Sequence, residues 1–442
     1  MRDIALLLIV FGGLIANLRY PFVGILLWTW FTLMYPHLLA FGFSRSFHLN
    51  QVVAISTILC LMISKENKIP PVDATLVFTM LFVVWITING FQAVDPSWSW
   101  PLWDRTWRII FLGILVSITA TSRTRVHALL LVMTLSLLYY GVKGGIFELF
   151  TGGNFRVVGE QDSPIGDNNQ LALAILMAIP LANYVRLHSA RLWVRYVMLA
   201  AMILSIISVV GSYSRGAFIA LAGLAVVAWF RAKRKFLYPV VAALVLIPVF
   251  QFMPQSYVDR ISTIQSAQDD GSFQGRVVAW RVATDYALDH FPFGAGFAGP
   301  ELPQVFGRYA PGGDTHAAHS IFFEVLGDNG FVGLAIYLVI LFLCFWNCFK
   351  LRGRTKRIPA MAWIYDLVGM IQLTLIAFCL GGAALSFAYY DVLFIAAGLL
   401  SALKVYVRRQ PGSSADYAPE APWKRSSSDF PSGRQEGLVG AE

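Results

Sequence analysis

Apolar runs separated by short polar breaks fill most of this chain. They cover about 3–17, 21–40, 48–64, 74–93, 107–121, 126–149, 168–186, 193–211, 215–230 and 236–253. After a polar interval come 320–349 and 361–405. A run of about 17–25 apolar residues crosses the hydrocarbon core as a helix. Lipid excludes open-edged strands, because their backbone groups would have no partner. The last run is too long for one span and predicts a reversal near Ser386-Phe-Ala-Tyr-Tyr-Asp391. The pattern therefore predicts an all-α polytopic membrane protein with about 12 transmembrane helices. Its organisation reads as transmembrane helices with short loops over 1–253, one large loop over 254–319, further transmembrane helices over 320–407, and a disordered tail over 408–442.

Charge adds orientation. Arg231-Ala-Lys-Arg-Lys235, the basic residues from Lys350 to Arg357, Lys404 with Arg408 and Arg409, Arg186 with Arg191 and Arg195, and Arg123 with Arg125 alternate correctly if all face the cytoplasm. The 254–319 loop then faces outward, to the periplasm of a Gram-negative cell, and the tail lies in the cytoplasm. The net charge of +9 is spread over these clusters, so it points to membrane lipids and not to nucleic acid. The first apolar run ends without a small-residue cleavage site and is expected to be retained. Only 13% of residues are charged, about half the share in soluble domains. The four cysteines all lie in apolar runs and read as small buried residues.

The polar interval gathers the candidate chemistry. It holds three of the seven histidines, His290, His316 and His319, and seven carboxylates. His319 stands where the loop re-enters an apolar run. A neutral histidine there suits a general base acting on a hydroxyl, although such a residue is as often a helix cap. Arg215 opens an apolar run, Arg276 lies in the loop, and Arg156 lies in a smaller outer loop over 151–169. A guanidinium at the hydrocarbon edge needs an anionic partner or water. Two of them aimed at one point suit a diphosphate, whose oxygens the planar fork binds in pairs. Weaker readings are a metal site of Asp314, His316 and His319, and a serine hydrolase using Ser214 or Ser320, which lacks the Gly-x-Ser-x-Gly elbow. Gly294-Ala-Gly296-Phe-Ala-Gly299 reads as a tight turn, since no strand precedes it. Trp98, Trp100, Trp103 and Trp107 read as an interfacial aromatic belt.

Three segments in order resemble the O-antigen ligase and polymerase superfamily. They are Ser212-Tyr-Ser-Arg-Gly-Ala-Phe-Ile-Ala-Leu, Gly275-Arg276 to Trp280 followed by Pro292-Phe-Gly-Ala-Gly-Phe297, and His319-Ser-Ile-Phe-Phe-Glu-Val-Leu-Gly-Asp-Asn-Gly-Phe-Val-Gly333. Ser320 stands where the family usually has Asn, which leaves the subgroup open. The resemblance implies a GT-C-type membrane glycosyltransferase with no cofactor. It would move a glycan from undecaprenyl diphosphate to a sugar hydroxyl of lipid A–core at the periplasmic face of the inner membrane, inverting the anomeric centre without a metal. His319 would be the base, Arg215 and Arg276 would hold the diphosphate, and Arg156 and His316 rank second. An O-antigen polymerase, a protein O-glycosylation ligase and a polyprenyl-linked glycan transporter are the alternatives.

Overall fold

A computed structural model of the protein describes residues 2–40, 42–66, 68–231 and 271–409. Every regular element among them is a helix: α1 (Arg2–Arg19), α2 (Pro21–Met34), α3 (Leu49–Ile63), α4 (Ala74–Gly90), α5 (Pro96–Thr119), α6 (Arg123–Thr151), α7 (Asn168–His188), α8 (Leu192–Gly211), α9 (Arg215–Arg231), α10 (Gly271–Asp289), α11 (Pro303–Tyr309), α12 (Ile321–Thr355), α13 (Ala362–Gly382) and α14 (Asp391–Arg409), with three short 3-10 turns between them. The apolar run 236–253, residues 254–270 of the polar interval, residues 232–235 of the basic run and the tail from 410 lie outside the described residues.

Five described helices are long and apolar enough to cross a membrane: α6, α7, α8, α12, and α13 with the turn before it. Helices α2, α3 and α4 are apolar but shorter. Apolar side chains face outward as well as inward, for example Leu8, Phe11 and Ile15 on α1 and Ile55, Leu59 and Met62 on α3. Small residues and polar pairs join the helices, as expected where lipid gives no hydrophobic drive between them. A Cβ added to Gly113 of α5 would meet the backbone of Phe394 on α14. Asn347 donates to Thr75 Oγ1 at 2.8 Å, and Thr374 donates to the Met177 carbonyl at 3.0 Å.

Two parts differ from the reading of the apolar pattern. The interval read as one loop contains α10 and α11 in its described part. Helix α5 begins well before its apolar stretch, because Asp95 caps it by accepting from Ser97 N and Trp98 N at 3.0 and 3.3 Å, with Pro96 in its first turn. Trp98, Trp100, Trp103 and Trp107 are therefore helical. Phe91, Trp100, Trp103, Trp107 and Phe111 form a ladder with successive ring centroids 5.2, 5.1, 6.3 and 5.9 Å apart.

Helix α12 is broken at Gly330, which has φ 69 and ψ −174. The break frees carbonyls that need new partners. Ala295 N–H donates to Gly327 O at 2.8 Å, and Gly296 N–H donates to Asp328 O at 3.0 Å. Asn89 donates to Asp328 O at 2.6 Å, and Trp85 donates to Asn329 O at 2.7 Å. The glycine-rich turn is thus a plug for a broken helix. A Cβ at Gly294 would lie 2.5 Å from Asn329 N, and one at Gly330 would lie 2.5 Å from the Phe293 carbonyl carbon.

The helix ends sort into two groups. One end of the bundle holds the start of α7, the end of α8, the start of α9 and the turn between α13 and α14. The opposite end holds the Arg125–Glu66 pair at 2.5 Å, the Lys404–Asp73 pair and the His188–Asp366 pair at 3.0 Å. The basic clusters bounded by α5–α6, α7–α8, α12–α13 and the end of α14 fall at this opposite end.

Candidate functional site

The turn Ala384–Ser386 is where the candidate residues meet. The Ala384 carbonyl accepts from Arg276 Nη1 at 3.2 Å. Ser386 Oγ accepts the backbone N–H of His319 at 2.9 Å. The Ser386 carbonyl accepts from Gln170 Nε2, in the first turn of α7, at 3.2 Å. A Cβ on Gly216 would stand 3.5 Å from Ala384 Cβ, so the start of α9 packs on the same turn. Arg215 is the first residue of α9 and is half-buried. Segments 212–216, 275–280 and 316–320 are far apart in sequence and share this one corner.

Local chemistry sets each segment. Ser214 Oγ accepts the Ala217 N–H at 3.2 Å and so starts α9, while Ser214 N–H donates to Ser212 Oγ at 3.2 Å. That use of the Ser214 hydroxyl as a cap leaves no sign of a nucleophile. Tyr213 sits in the left-handed region at φ 58, and its hydroxyl donates to the Gly153 carbonyl. Asn168 Nδ2 donates to the Ser212 carbonyl at 2.6 Å, and Val157 N–H donates to Gly211 O at 3.0 Å. The loop carrying Arg156 is thereby held against the segment carrying Arg215. Arg156 is exposed. Burial and the Glu148 carboxylate push the Tyr213 phenol up, and the Arg156 charge opposes them.

On the other side, α10 clamps the approach to His319. Trp280 Nε1 donates to the Ala318 carbonyl at 2.6 Å, and the indole stacks on Phe323 with centroids 4.9 Å apart and planes 9° apart. Gly275 faces the His316 ring closely, since a Cβ there would lie 2.8 Å from His316 Cδ2. His319 itself is in the left-handed region at φ 43, a conformation unusual for a residue with a Cβ. Its Nδ1 is buried and has no hydrogen-bond partner. Burial and then the Arg276 guanidinium hold its imidazole below the usual histidine range, against a smaller opposing pull from Asp167. The ring is therefore neutral at neutral pH, as a base must be.

His316 is exposed and lies one turn of loop before His319, packed edge-on to Phe306 with centroids 6.3 Å apart. Among the described residues no three His, Cys, Asp or Glu side chains converge as metal ligands, so Asp314, His316 and His319 do not form that set. Ser320 is buried and precedes α12 without a side-chain capping bond.

Sequence reasoning missed Ser386, Gln170 and Asp167. The sequence marks Ser386 only as part of a reversal, and no local pattern marks a serine whose role is set by a residue 67 positions away. A cavity of about 340 Å³ opens beside the corner and is walled in part by His316, Ala318, Gln170 and Ser386.

Residues 200–338, which include Arg215, Arg276 and His319, match a family model described as O-antigen ligase. Residues 1–190 match one described as a family of unknown function (DUF5935). No curated protein matches the chain.

Proposed function

Residues 200–338 place this chain in the O-antigen ligase superfamily, and from that premise we propose that it transfers a glycan from undecaprenyl diphosphate to a sugar hydroxyl of lipid A–core. Family-level chemistry of this kind uses lipid-linked glycans in a multi-pass membrane protein. The observation that carries the finer reading is the meeting of His319, Arg276 and the Arg215 segment on the Ala384–Ser386 turn. The described basic clusters lie at the opposite end of the bundle, which under the positive-inside bias supports a periplasmic reading of this corner.

The step then follows from the residue types. Neutral His319 takes the proton of the acceptor hydroxyl as its oxygen bonds to the anomeric carbon. The bond from that carbon to the diphosphate oxygen breaks, and its electron pair leaves with the polyprenyl diphosphate. Attack opposite the leaving group inverts the anomeric centre. Arg215 and Arg276 face the negative charge that builds on the departing oxygen, and a guanidinium remains charged at any physiological pH. The proton on His319 is returned to solvent before the next turnover. Arg156, exposed on the loop whose Gly153 carbonyl accepts from Tyr213, takes a supporting part in attracting the carrier's phosphates.

Reconstitution of the full chain with a carrier-linked glycan and lipid A–core tests the reading. A laddered product that persists in excess EDTA is expected. His319→Ala should lower the rate by about 10²–10⁴-fold, the usual contribution of a general base, with insertion intact. Near-normal transfer by His319→Ala removes the base from His319. Movement of carrier-linked glycan across vesicles with no new glycosidic bond makes the chain a transporter instead.

A further inference from the structure

The cavity beside the corner has chemistry that the transfer step above leaves unused. Its wall combines the carboxylates of Glu301 and Glu324, the amide of Gln170, the guanidinium of Arg105 and the rings of Phe323 and Phe387. Arg215 and Arg276 are not part of that wall, whereas His316 and Ala318, just before His319, are. The cavity therefore adjoins the segment carrying the base, and neither arginine assigned to the diphosphate lines it. At about 340 Å³ it falls at the small end of the roughly 300–1,000 Å³ range of ligand sites.

Two of its groups are set up differently. Glu324 Oε2 accepts the Ala388 N–H at 2.9 Å, which fixes this carboxylate on the wall. Phe323, next to it in sequence, is held by stacking on Trp280. Glu301 is exposed, on the short turn Gly299–Glu301. Carboxyl groups exchange hydrogen bonds with hydroxyls through two oxygens each. Aromatic rings cover the C–H faces of a compact ring while its hydroxyls reach outward. Carboxyl groups, an amide, a guanidinium and ring faces around a small cavity suit a polyhydroxyl ring.

Building on the transfer reading, we propose that this cavity is the subsite for the acceptor's sugar ring, with Glu324 and Glu301 accepting its hydroxyls while the neighbouring hydroxyl is presented to His319.

Steady-state kinetics of the reconstituted full chain, varying donor and acceptor separately, test it. Glu324→Gln and Glu301→Gln should each raise the acceptor KM up to roughly tenfold, the scale of one lost hydrogen bond, because an amide nitrogen replaces an accepting oxygen. The donor KM and the acidic limb of the pH profile should stay where they are. Glu301 is exposed, so its variant keeps the test alive if Glu324→Gln fails to fold. Unchanged acceptor KM in Glu301→Gln, or a rise in donor KM in its place, overturns the subsite while leaving transfer established. Absence of transfer by the wild type overturns the transfer reading and the subsite together.

Discussion

Ser386→Ala removes one hydroxyl and should disarm the base while leaving the His319 side chain itself unchanged. In the structure that hydroxyl accepts the His319 N–H at 2.9 Å, the one bond that ties the backbone of His319 to the turn carrying Arg276's acceptor. A net hydrogen bond of this kind contributes about 1 kcal/mol. His319 is also held at φ 43, and the left-handed region costs a residue with a Cβ roughly 1–2 kcal/mol. Without the serine, nothing on that bond opposes relaxation to an ordinary backbone conformation that carries the ring away. If both terms appear in the population of the productive conformer, about 2–3 kcal/mol is lost, or roughly 30- to 150-fold in rate. The loss should fall on kcat, with the donor KM nearly unchanged, since Arg215 and Arg276 remain. Ser386→Thr keeps the hydroxyl and should recover most of the activity. The assay is transfer of carrier-linked glycan in proteoliposomes with each substrate varied in turn. A Ser386→Ala enzyme with wild-type kcat would refute the idea that this bond holds the base.

The acidic limb of the pH–rate profile should lie below about 6.5, the ordinary histidine value, because burial and Arg276 both disfavour the imidazolium. Activity then rises as pH rises through that limb, and Arg276→Ala should move the limb to higher pH while lowering the rate by about 10²–10³-fold. A limb that stays put in Arg276→Ala separates the two residues electrostatically. Gly294→Ala would drive a Cβ to 2.5 Å from Asn329 N, between backbone atoms that cannot yield. Overpacking of this kind costs about 1–3 kcal/mol, so a lowered midpoint of thermal unfolding in detergent is expected, and an unchanged one counts against the plug on α12.

Helix positions were largely legible because apolar runs and helix lengths coincide. The fold-back in the last apolar run, read near Ser386–Asp391, falls between α13 and α14 at 383–390. Legibility failed where polar residues form helices through caps and tertiary contacts. Asp95 and Pro96 start α5 inside a tryptophan-rich stretch, and α10 carries charges along its length while Trp280 docks it on Ala318. At the site, Arg215, Arg276 and His319 could be picked out as unusual charges or a lone imidazole at the edges of apolar runs. Their meeting point could not be, because it is made of backbone carbonyls and one serine. The break in α12 was equally hidden, since Asp-Asn-Gly within an apolar helix gives no hint of which distant groups answer its carbonyls.

That break bears on how the chain is made. Residues 331–355 alone form a helix about 37 Å long at 1.5 Å per residue, enough to cross a bilayer of roughly 30 Å. Residues 321–330 then sit at or beyond its surface, with carbonyls that lipid cannot satisfy. Every group that satisfies them, Trp85, Asn89, Ala295 and Gly296, lies earlier in the chain. A ribosome delivers those partners first, so the receiving surface is already synthesised when the broken segment emerges. A circular permutant that moved α12 ahead of α4 would reverse the order of delivery and expose the bare carbonyls to lipid during insertion.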